Sequence, residues 1–238
     1  MSDASALVLL AGSVAGGAIA SVAGFGIGSL LTPLLAAALG VKLAVDAAAI
    51  PHAVGTAVRL WLVRAALDRR VLVSFGATSA AGGLAGAVLQ NVAGNPVLTI
   101  VFAGLGGLTG YSERLRFGRR GAWIGGALSG FLGGLVGNQG GIRSAAMLGF
   151  GVPRDAFVAT ATAIALAVDA ARVPVYLVTQ GPSLAAHAPL IASAALGVVA
   201  GTFLGTWTLR RVPETAFRRV VGAILVLLAL YTVGSLRS

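Results

Sequence analysis

The chain has 238 residues, of which 57% are hydrophobic and only 10% charged, and its mean hydropathy is +0.94. Ordinary soluble domains have roughly a quarter of their residues charged, so this composition excludes a soluble enzyme and predicts one integral membrane unit. The net charge of +10 comes from short basic clusters between apolar runs, and the chain has no cysteine. We therefore expect topology signals rather than a nucleic-acid partner, and no thiolate chemistry.

Apolar runs bounded by charged or turn residues predict six membrane-spanning helices. Each is near the length that crosses a hydrocarbon core of about 30 Å at about 1.5 Å per residue. The predicted spans cover residues 44–63, 71–89, 96–111, 156–178, 187–209 and 220–236.

Two further apolar segments, residues 5–39 and 121–150, are broken by glycine clusters near their middle. Backbone that leaves the helical ladder at membrane depth must be shielded by protein or line a wet cavity. These segments therefore predict broken, re-entrant helical hairpins of two half-helices. Two full crossings in each would leave the sidedness of all later spans unchanged.

The distribution of Lys and Arg predicts the orientation of the spans. If the six spans alternate, nearly all basic residues near span ends fall on one side, which is then the cytoplasmic side. They are Arg64, Arg69, Arg70, Arg114, Arg116, Arg119, Arg120, Arg154, Arg210, Arg211, Arg218 and Arg219. The opposite side has only Lys42 and Arg237, so we expect both termini on the periplasmic side.

The two halves of the chain resemble each other. Three pairs of residues are each 113 positions apart: Gly24 and Gly137, Gly28 and Gly141, Arg59 and Arg172. Each half has one hairpin and three spans, and this odd number of crossings inserts the second half upside down. The predicted fold class is an all-α polytopic membrane protein with two inverted-topology repeats, residues 1–120 and 121–238, in one membrane domain.

The glycine clusters predict the substrate site. Small residues let the backbone turn and expose its amides, and the half-helix that follows each cluster directs its positive dipole end at the turn. Two such ends facing each other would bind an anion. The alternative is that these glycines only allow close helix packing. The predicted substrate-binding residues are Gly24, Phe25, Gly26, Gly28, Ser29, Asn138, Gln139, Gly140, Gly141, Arg143 and Ser144.

Arg143 is the central residue of this prediction, because its guanidinium can hold two oxygens of an oxyanion in a bidentate fork. The alternative is that it snorkels to the interface or pairs with a buried carboxylate. Asn138 and Gln139 would add neutral donors, and the hydroxyls of Ser29, Thr32 and Ser144 would add others or cap a half-helix.

Five other residues are candidates for gating or coupling: His52, Thr56, Arg59, Asp169 and Arg172. Arg59 and Arg172 either line entry vestibules that attract anions or snorkel to an interface. Asp169 precedes Arg172 by three positions, which favours an i,i+3 ion pair over a proton carrier. His52 beside Pro51 is either a switchable donor or proton carrier, or a packing residue whose ring is satisfied locally.

No catalytic or metal-binding group is predicted. Ser29 with His52 lacks a nucleophile elbow and an oriented base, so we do not expect an enzyme. Two histidines with few carboxylates do not predict a metal site, and no cofactor is expected.

The motifs resemble those of the TauE/SafE family of sulfite and organosulfonate exporters. The resemblance rests on Ala23-Gly24-Phe25-Gly26-Ile27-Gly28 with Pro33, on His52-Ala53-Val54-Gly55-Thr56, and on Gly137-Asn138-Gln139-Gly140-Gly141-Ile142-Arg143-Ser144. The last segment is similar to the Gln-Gly-x-x-Arg-Ser form of one branch of that family. Ile27 interrupts a Gly-Gly-Gly run often seen in the first repeat, and the second repeat has no proline matching Pro33.

The resemblance implies a secondary transporter in the bacterial inner membrane that exports sulfite or a small sulfonate. Its expected partners are the anion and the lipid bilayer. The residues alone indicate an anion bound at facing broken helices and carried by alternating access. A passive anion channel and a non-transporting membrane assembly protein are the alternatives.

Overall fold

The computed structural model describes residues 3–101, 122–137, 140–148, 151–209 and 211, and every regular element in them is helical. The helices are α1 (Asp3–Ala23), α2 (Ile27–Val63), α3 (Arg69–Val92), α4 (95–101), α5 (Ala122–Val136), α6 (Gly140–Leu148), α7 (Arg154–Ala186) and α8 (Ala188–Leu209). A 3₁₀ turn, Arg64–Ala66, follows α2, and α3 contains a π-helical turn at Leu72–Gly76. The predicted span 220–236 and most of 96–111 lie outside the described residues.

Five of the described helices are long and apolar enough to cross a membrane. They are Ala6–Ala23, Ile27–Ala66, Arg69–Val92, Arg154–Ala186 and Ala188–Thr208. Large apolar side chains such as Val92 and Val178 are exposed on their outer faces, as lipid contact requires. The chain is therefore an all-helical, multi-pass membrane protein, as the sequence predicts.

Glycines interrupt the helices where the two clusters occur. α1 ends at Ala23 and α2 begins at Ile27, while α5 ends at Val136 and α6 begins at Gly140. Gly24 (φ 82°), Gly26 (φ 134°) and Gly137 (φ 74°) have left-handed backbone angles that L side chains rarely adopt. The helix end in the second cluster therefore comes 113 residues after the helix end in the first cluster. The helix restarts are 113 residues apart as well.

α2 changes direction at Gly40, which has φ 73° and ψ 157°. Leu31 and Leu35, before this break, share an apolar cluster with Ala44 and Ala47 after it, so residues 27–39 fold back on the rest of α2. The side chain of Asn95 accepts a hydrogen bond from the Lys42 amide at 2.9 Å and thereby fixes the restart of the helix.

α1 lies against the first arm of α2. A methyl group placed on Gly16 would contact the Ile27 Cα at 3.4 Å, and one placed on Gly12 would contact the Leu34 side chain. Position 16 of α1 meets position 27 of α2, and the earlier position 12 meets the later position 34, so the two helices run in opposite directions. α1 and the first arm of α2 therefore form a helical hairpin with the Gly24–Gly26 turn at its tip.

α7 is longer than the predicted span 156–178. It begins at Arg154, continues past Val178 and ends at Ala186. Pro174 and Pro182 lie inside it without ending it, as membrane helices tolerate when neighbours satisfy the freed carbonyls. Arg172 is consequently in the body of the helix rather than near its end.

Glycine stripes hold two helix pairs together, α3 with α5 and α1 with α8. A Cβ on any of these glycines would meet backbone atoms of the opposite helix. The facing positions are Gly82 with Ala127, Gly86 with Phe131, Gly130 with Ser79, Gly201 with Val14, Gly205 with Ala18, and Gly17 with Val198. Close packing of small residues is thus one use of glycine here, as is common in membrane helix pairs.

The end of α2 lies beside the start of α7. The Asp68 amide donates to the Thr160 hydroxyl at 2.9 Å, across this junction. A cavity at the same place is bounded by the ends of α2 and α8 and the start of α7: Leu62, Val63, Ala65, Ala66, Arg154, Asp155 and Thr206. The second arm of α2 and the first part of α7 therefore run in opposite directions.

We predict that Gly86→Ala destabilises the protein by about 1–3 kcal/mol, because the new methyl group meets the α5 backbone at Leu135 N (2.9 Å). Gly16→Ala is the matched control, because its methyl would make ordinary contacts of 3.4 Å or more. That control should keep or raise stability by up to about 1 kcal/mol through its helix propensity. Thermal unfolding in detergent, followed by size-exclusion chromatography, measures both. Equal stability of the two variants would contradict the predicted packing.

Candidate anion-binding site

The two broken segments meet in the interior. A Cβ on Gly28 would collide with the carbonyl oxygen of Gly137, and one on Gly140 would collide with Phe25, which is itself buried. The first turns of α2 and α6, whose amides lack intrahelical acceptors, therefore lie next to each other. The predicted donors Asn138 and Gln139 lie outside the described residues.

Arg143 is the fourth residue of α6 and is fully buried. Its Nη2 atom approaches the Gly24 carbonyl oxygen at 3.5 Å, which is at the limit of a hydrogen bond. Its Nε and Nη1 atoms have no partner among the described residues, and neither does the neighbouring Ser144 hydroxyl. Within that part of the chain Arg143 neither reaches an interface nor pairs with a carboxylate.

Arg59 is a second buried cation, with 1% of its surface exposed. Its Nε donates to the Thr162 hydroxyl at 2.8 Å, and Nη1 has no partner among the described residues. The charge of Arg143 acts on Arg59 electrostatically, so the two cations are near enough to repel. The sequence analysis expected Arg59 to line an entry vestibule or to snorkel to an interface. In the structure its side chain lies inside the protein.

Arg172, in contrast, is neutralised. It forms the expected i,i+3 ion pair with Asp169, with Nη2 at 2.8 Å and Nε at 3.0 Å from Oδ1. Its Nη1 donates to the carbonyl oxygen of Gly133, near the end of α5, at 2.6 Å. The predicted ion pair is therefore confirmed, and Arg172 is 1% exposed.

His52 binds the same carboxylate. Its Nδ1 lies 2.6 Å from Asp169 Oδ2, and both side chains are buried. The two residues are 117 positions apart, so no local spacing could reveal this contact. The Thr56 hydroxyl lies 3.5 Å from the same His52 nitrogen.

The remaining predicted site residues line the same interior. Phe25 belongs to an apolar cluster with Met147 and Phe157, so its ring is a packing element beside the turn. Ser29 and Gly141 are buried as well. The Thr32 hydroxyl has no partner among the described residues, and a Cβ on Gly137 would lie 3.2 Å from it.

The charges at the centre do not balance. Of the three buried guanidinium groups in the described residues, Arg59, Arg143 and Arg172, only Arg172 pairs with a carboxylate, that of Asp169. A buried charge is costly unless it is paired, and an unpaired cation inside a membrane protein indicates function. The described interior therefore has an excess of positive charge and unused N–H donors, which is the chemistry that binds an oxyanion.

Sequence reasoning missed two buried polar residues near this centre. The Tyr176 hydroxyl donates to the Gly134 carbonyl, and Asp46 accepts a hydrogen bond from Gln90. Their partners come from other helices, so the only signal in the sequence is a polar residue within an apolar run. Within the described residues no group of three or more His, Asp or Glu side chains is arranged to hold a metal ion.

No curated protein and no solved structure matches the chain with significance. One protein family matches almost its whole length, from residue 8 to residue 232, and it is described as sulfite exporter TauE/SafE. That extent agrees with the resemblance seen in both glycine clusters. The chain belongs to the TauE/SafE sulfite exporter family of membrane transporters.

Proposed function

We propose that this protein exports a small sulfur oxyanion, sulfite or an organosulfonate, across the bacterial inner membrane. The observation that carries the proposal is that two buried guanidinium groups, Arg143 and Arg59, have no carboxylate partner among the described residues. The sulfur-containing class comes from the family, and the anionic charge comes from the site. Nothing in this account requires a catalytic step or a cofactor.

The proposed binding position lies between the residues 24–29 and 137–144. Two nitrogens of Arg143 and one of Arg59 have N–H groups to give, and the Ser144 and Thr32 hydroxyls are unpartnered in the described residues. Sulfite and sulfonates present three oxygens that accept such donors, and the helix dipoles of α2 and α6 favour their negative charge. An anion bound here would accept hydrogen bonds from these donors, whose burial without a partner is costly.

We further propose that the chain consists of two repeats related by a two-fold axis. Contacts occur in equivalent pairs when the halves are exchanged: Gly24 with Val158 corresponds to Gly137 with Val45. The glycine contacts between α3 and α5 likewise correspond to those between α8 and α1. Because the second arm of α2 and its counterpart in α7 run in opposite directions, the axis would lie in the membrane plane, giving inverted repeats.

Such a repeat supports alternating access, in which one repeat rocks against the other around a central site. The two hairpin tips already meet at Gly28 and Gly137, so the site lies where the repeats would move. A passive channel would share the anion site but conduct without saturation. A non-transporting assembly protein would tolerate the loss of Arg143.

The proposed direction is export. Moving one negative charge out of a cell with a negative interior is favoured by about 2.3 kcal/mol per 100 mV. The basic residues at the ends of α2 and α8 support a cytoplasmic assignment for that side. Arg64 stacks on Trp61 and Arg211 on Trp207 there, an arrangement that suits a membrane interface.

We predict that Arg143→Ala abolishes saturable sulfite flux in proteoliposomes, because the central donor is lost. Arg143→Lys should keep the charge but lose bidentate binding, with sulfite affinity weaker by at least about tenfold. Arg70→Gln, at an exposed arginine, is the control and should transport normally. Sulfate, nitrate and chloride serve as competitors. Normal saturable flux in Arg143→Ala would contradict the proposed site.

We predict that Thr56→Asp weakens sulfite binding by at least about tenfold, whereas Thr56→Asn changes it little. Thr56 precedes Arg59 by three positions, as Asp169 precedes Arg172, so an aspartate there would neutralise Arg59 as Asp169 neutralises Arg172. Isothermal calorimetry on detergent-purified, monodisperse protein compares the two variants. Equal affinities would show that the free charge of Arg59 does not contribute to anion binding.

We predict that single cysteines at Arg69 and at Ala186 react from opposite sides of the membrane. The natural chain has no cysteine, so each substitution provides the only thiol. Both positions are exposed at helix ends. In intact cells a membrane-impermeant maleimide should label Ala186→Cys, and Arg69→Cys should react only after the cells are opened. The reverse pattern would overturn the proposed direction of export.

A further inference from the structure

A second buried polar site lies between α2 and α3. The Gln90 Nε2 atom donates to Asp46 Oδ1 at 2.8 Å and to the Lys42 carbonyl oxygen at 3.1 Å. Both side chains are fully buried. The other Asp46 oxygen, Oδ2, and the Gln90 Oε1 have no hydrogen-bond partner among the described residues. Among the described residues the site therefore has two unused acceptors and no donor for them.

None of the described neighbours of Asp46 forms an ion pair with it. Within the described residues no cationic nitrogen lies within salt-bridge distance of its carboxylate. On its own helix, the Lys42 ammonium donates instead to the carbonyl oxygens of Asn91 at 2.5 Å and Ala93 at 3.5 Å. From α7, Arg172 and Tyr176 interact with Asp46 only electrostatically.

Apolar residues complete the enclosure. α4 contributes Leu98, α5 contributes Leu135 and Val136, and α3 contributes Ala87, all in the apolar cluster that includes Val45 next to Asp46. A carboxylate in such a place is costly as an unpaired charge. It must acquire either a proton or a cation, and the two unpartnered oxygens are fewer than the six or so ligands that hard metal cations take.

We propose that Asp46 is a proton-binding site and that its protonation is coupled to binding of the anion. A proton on Oδ2 removes the buried charge and supplies the donor that the Asp46–Gln90 pair lacks. The proton site stands on its own geometry, whereas the coupling rests on the proposed anion transport.

The coupling has a physical route through the tip of the second hairpin. Val45, next to Asp46, lies 3.5 Å from the position of a Cβ on Gly137. Arg172, which the Asp46 charge attracts, is hydrogen-bonded to the Gly133 carbonyl in the same hairpin. Protonation of Asp46 removes a negative charge beside this tip. An anion then binds more tightly, and by reciprocity a bound anion favours the proton.

The proton itself is tested by infrared difference spectroscopy on the full-length protein between acidic and alkaline pH. We expect a carbonyl band of a protonated carboxylic acid that disappears in Asp46→Asn. Asp155→Asn, at an exposed carboxylate, is the control and should keep the band. A band that survives in Asp46→Asn, or its absence from the wild type, would overturn the proton site. A sodium-dependent change at Asp46 in its place would assign the site to a metal cation.

The coupling is tested with methanesulfonate, whose charge is constant over the pH range used. We expect wild-type affinity to rise at least about fivefold from alkaline to acidic pH, and Asp46→Asn to bind tightly at every pH. An identical pH dependence in the two proteins would overturn the coupling. If the wild type binds neither methanesulfonate nor sulfite while the infrared band is present, the anion function and the coupling fail and the proton site stands.

Discussion

The cost of burying cations in a membrane protein is the constraint on which this structure depends. An arginine at the centre of a bilayer costs at least about 2.5–3.5 kcal/mol, and the described interior contains three. Asp169 and the Gly133 carbonyl stabilise the charge of Arg172. Among the described residues, Arg59 has one hydroxyl partner and Arg143 only a long contact to the Gly24 carbonyl. The glycine turns free carbonyls and amides at the depth of these charges. The broken helices and the buried arginines therefore support each other, because the carbonyl oxygens of Gly24 and Gly133, near the two breaks, are contacted by Arg143 and Arg172.

Glycine has two separate uses in this chain. Gly24, Gly26 and Gly137 have positive φ angles and shape the turns at the hairpin tips. Gly82, Gly86 and Gly201 have ordinary helical conformations and let two backbones touch. Close packing, the alternative to a binding site that the sequence left open, therefore occurs in this chain. It includes two glycines of the clusters, Gly28 and Gly140, which have no positive φ angle and bring the two tips into contact.

The predictions succeeded where the signal is local. The apolar runs, the glycine breaks and the i,i+3 spacing of Asp169 and Arg172 are all legible within a few residues of sequence. The contact of His52 with Asp169 and the hydrogen bond of Gln90 to Asp46 span 117 and 44 positions, so they follow from helix packing alone. The sequence did show a local carboxylate for Arg172, but it could not show that Arg59 is buried. Arg59 and Arg172 occupy equivalent positions, and Asp169, in whose place the first half has Thr56, distinguishes them.

The difference between the equivalent residues Arg59 and Arg172 bears on the proposed direction of transport. A pair of identical inverted repeats would open equally well to either side, so any preference must come from residues that break the symmetry. Thr56 stands where the second half has Asp169, and Asp46 stands where the second half has Ala159. The carboxylate of Asp169 clamps Arg172, which in turn binds the Gly133 carbonyl of the second hairpin, whereas no described carboxylate clamps Arg59. Under the proposed repeat, the second hairpin is therefore tied to its neighbour more firmly than the first. The carboxylates of Asp46 and Asp169, each present in one half only, thus make the two sides of the proposed site unequal.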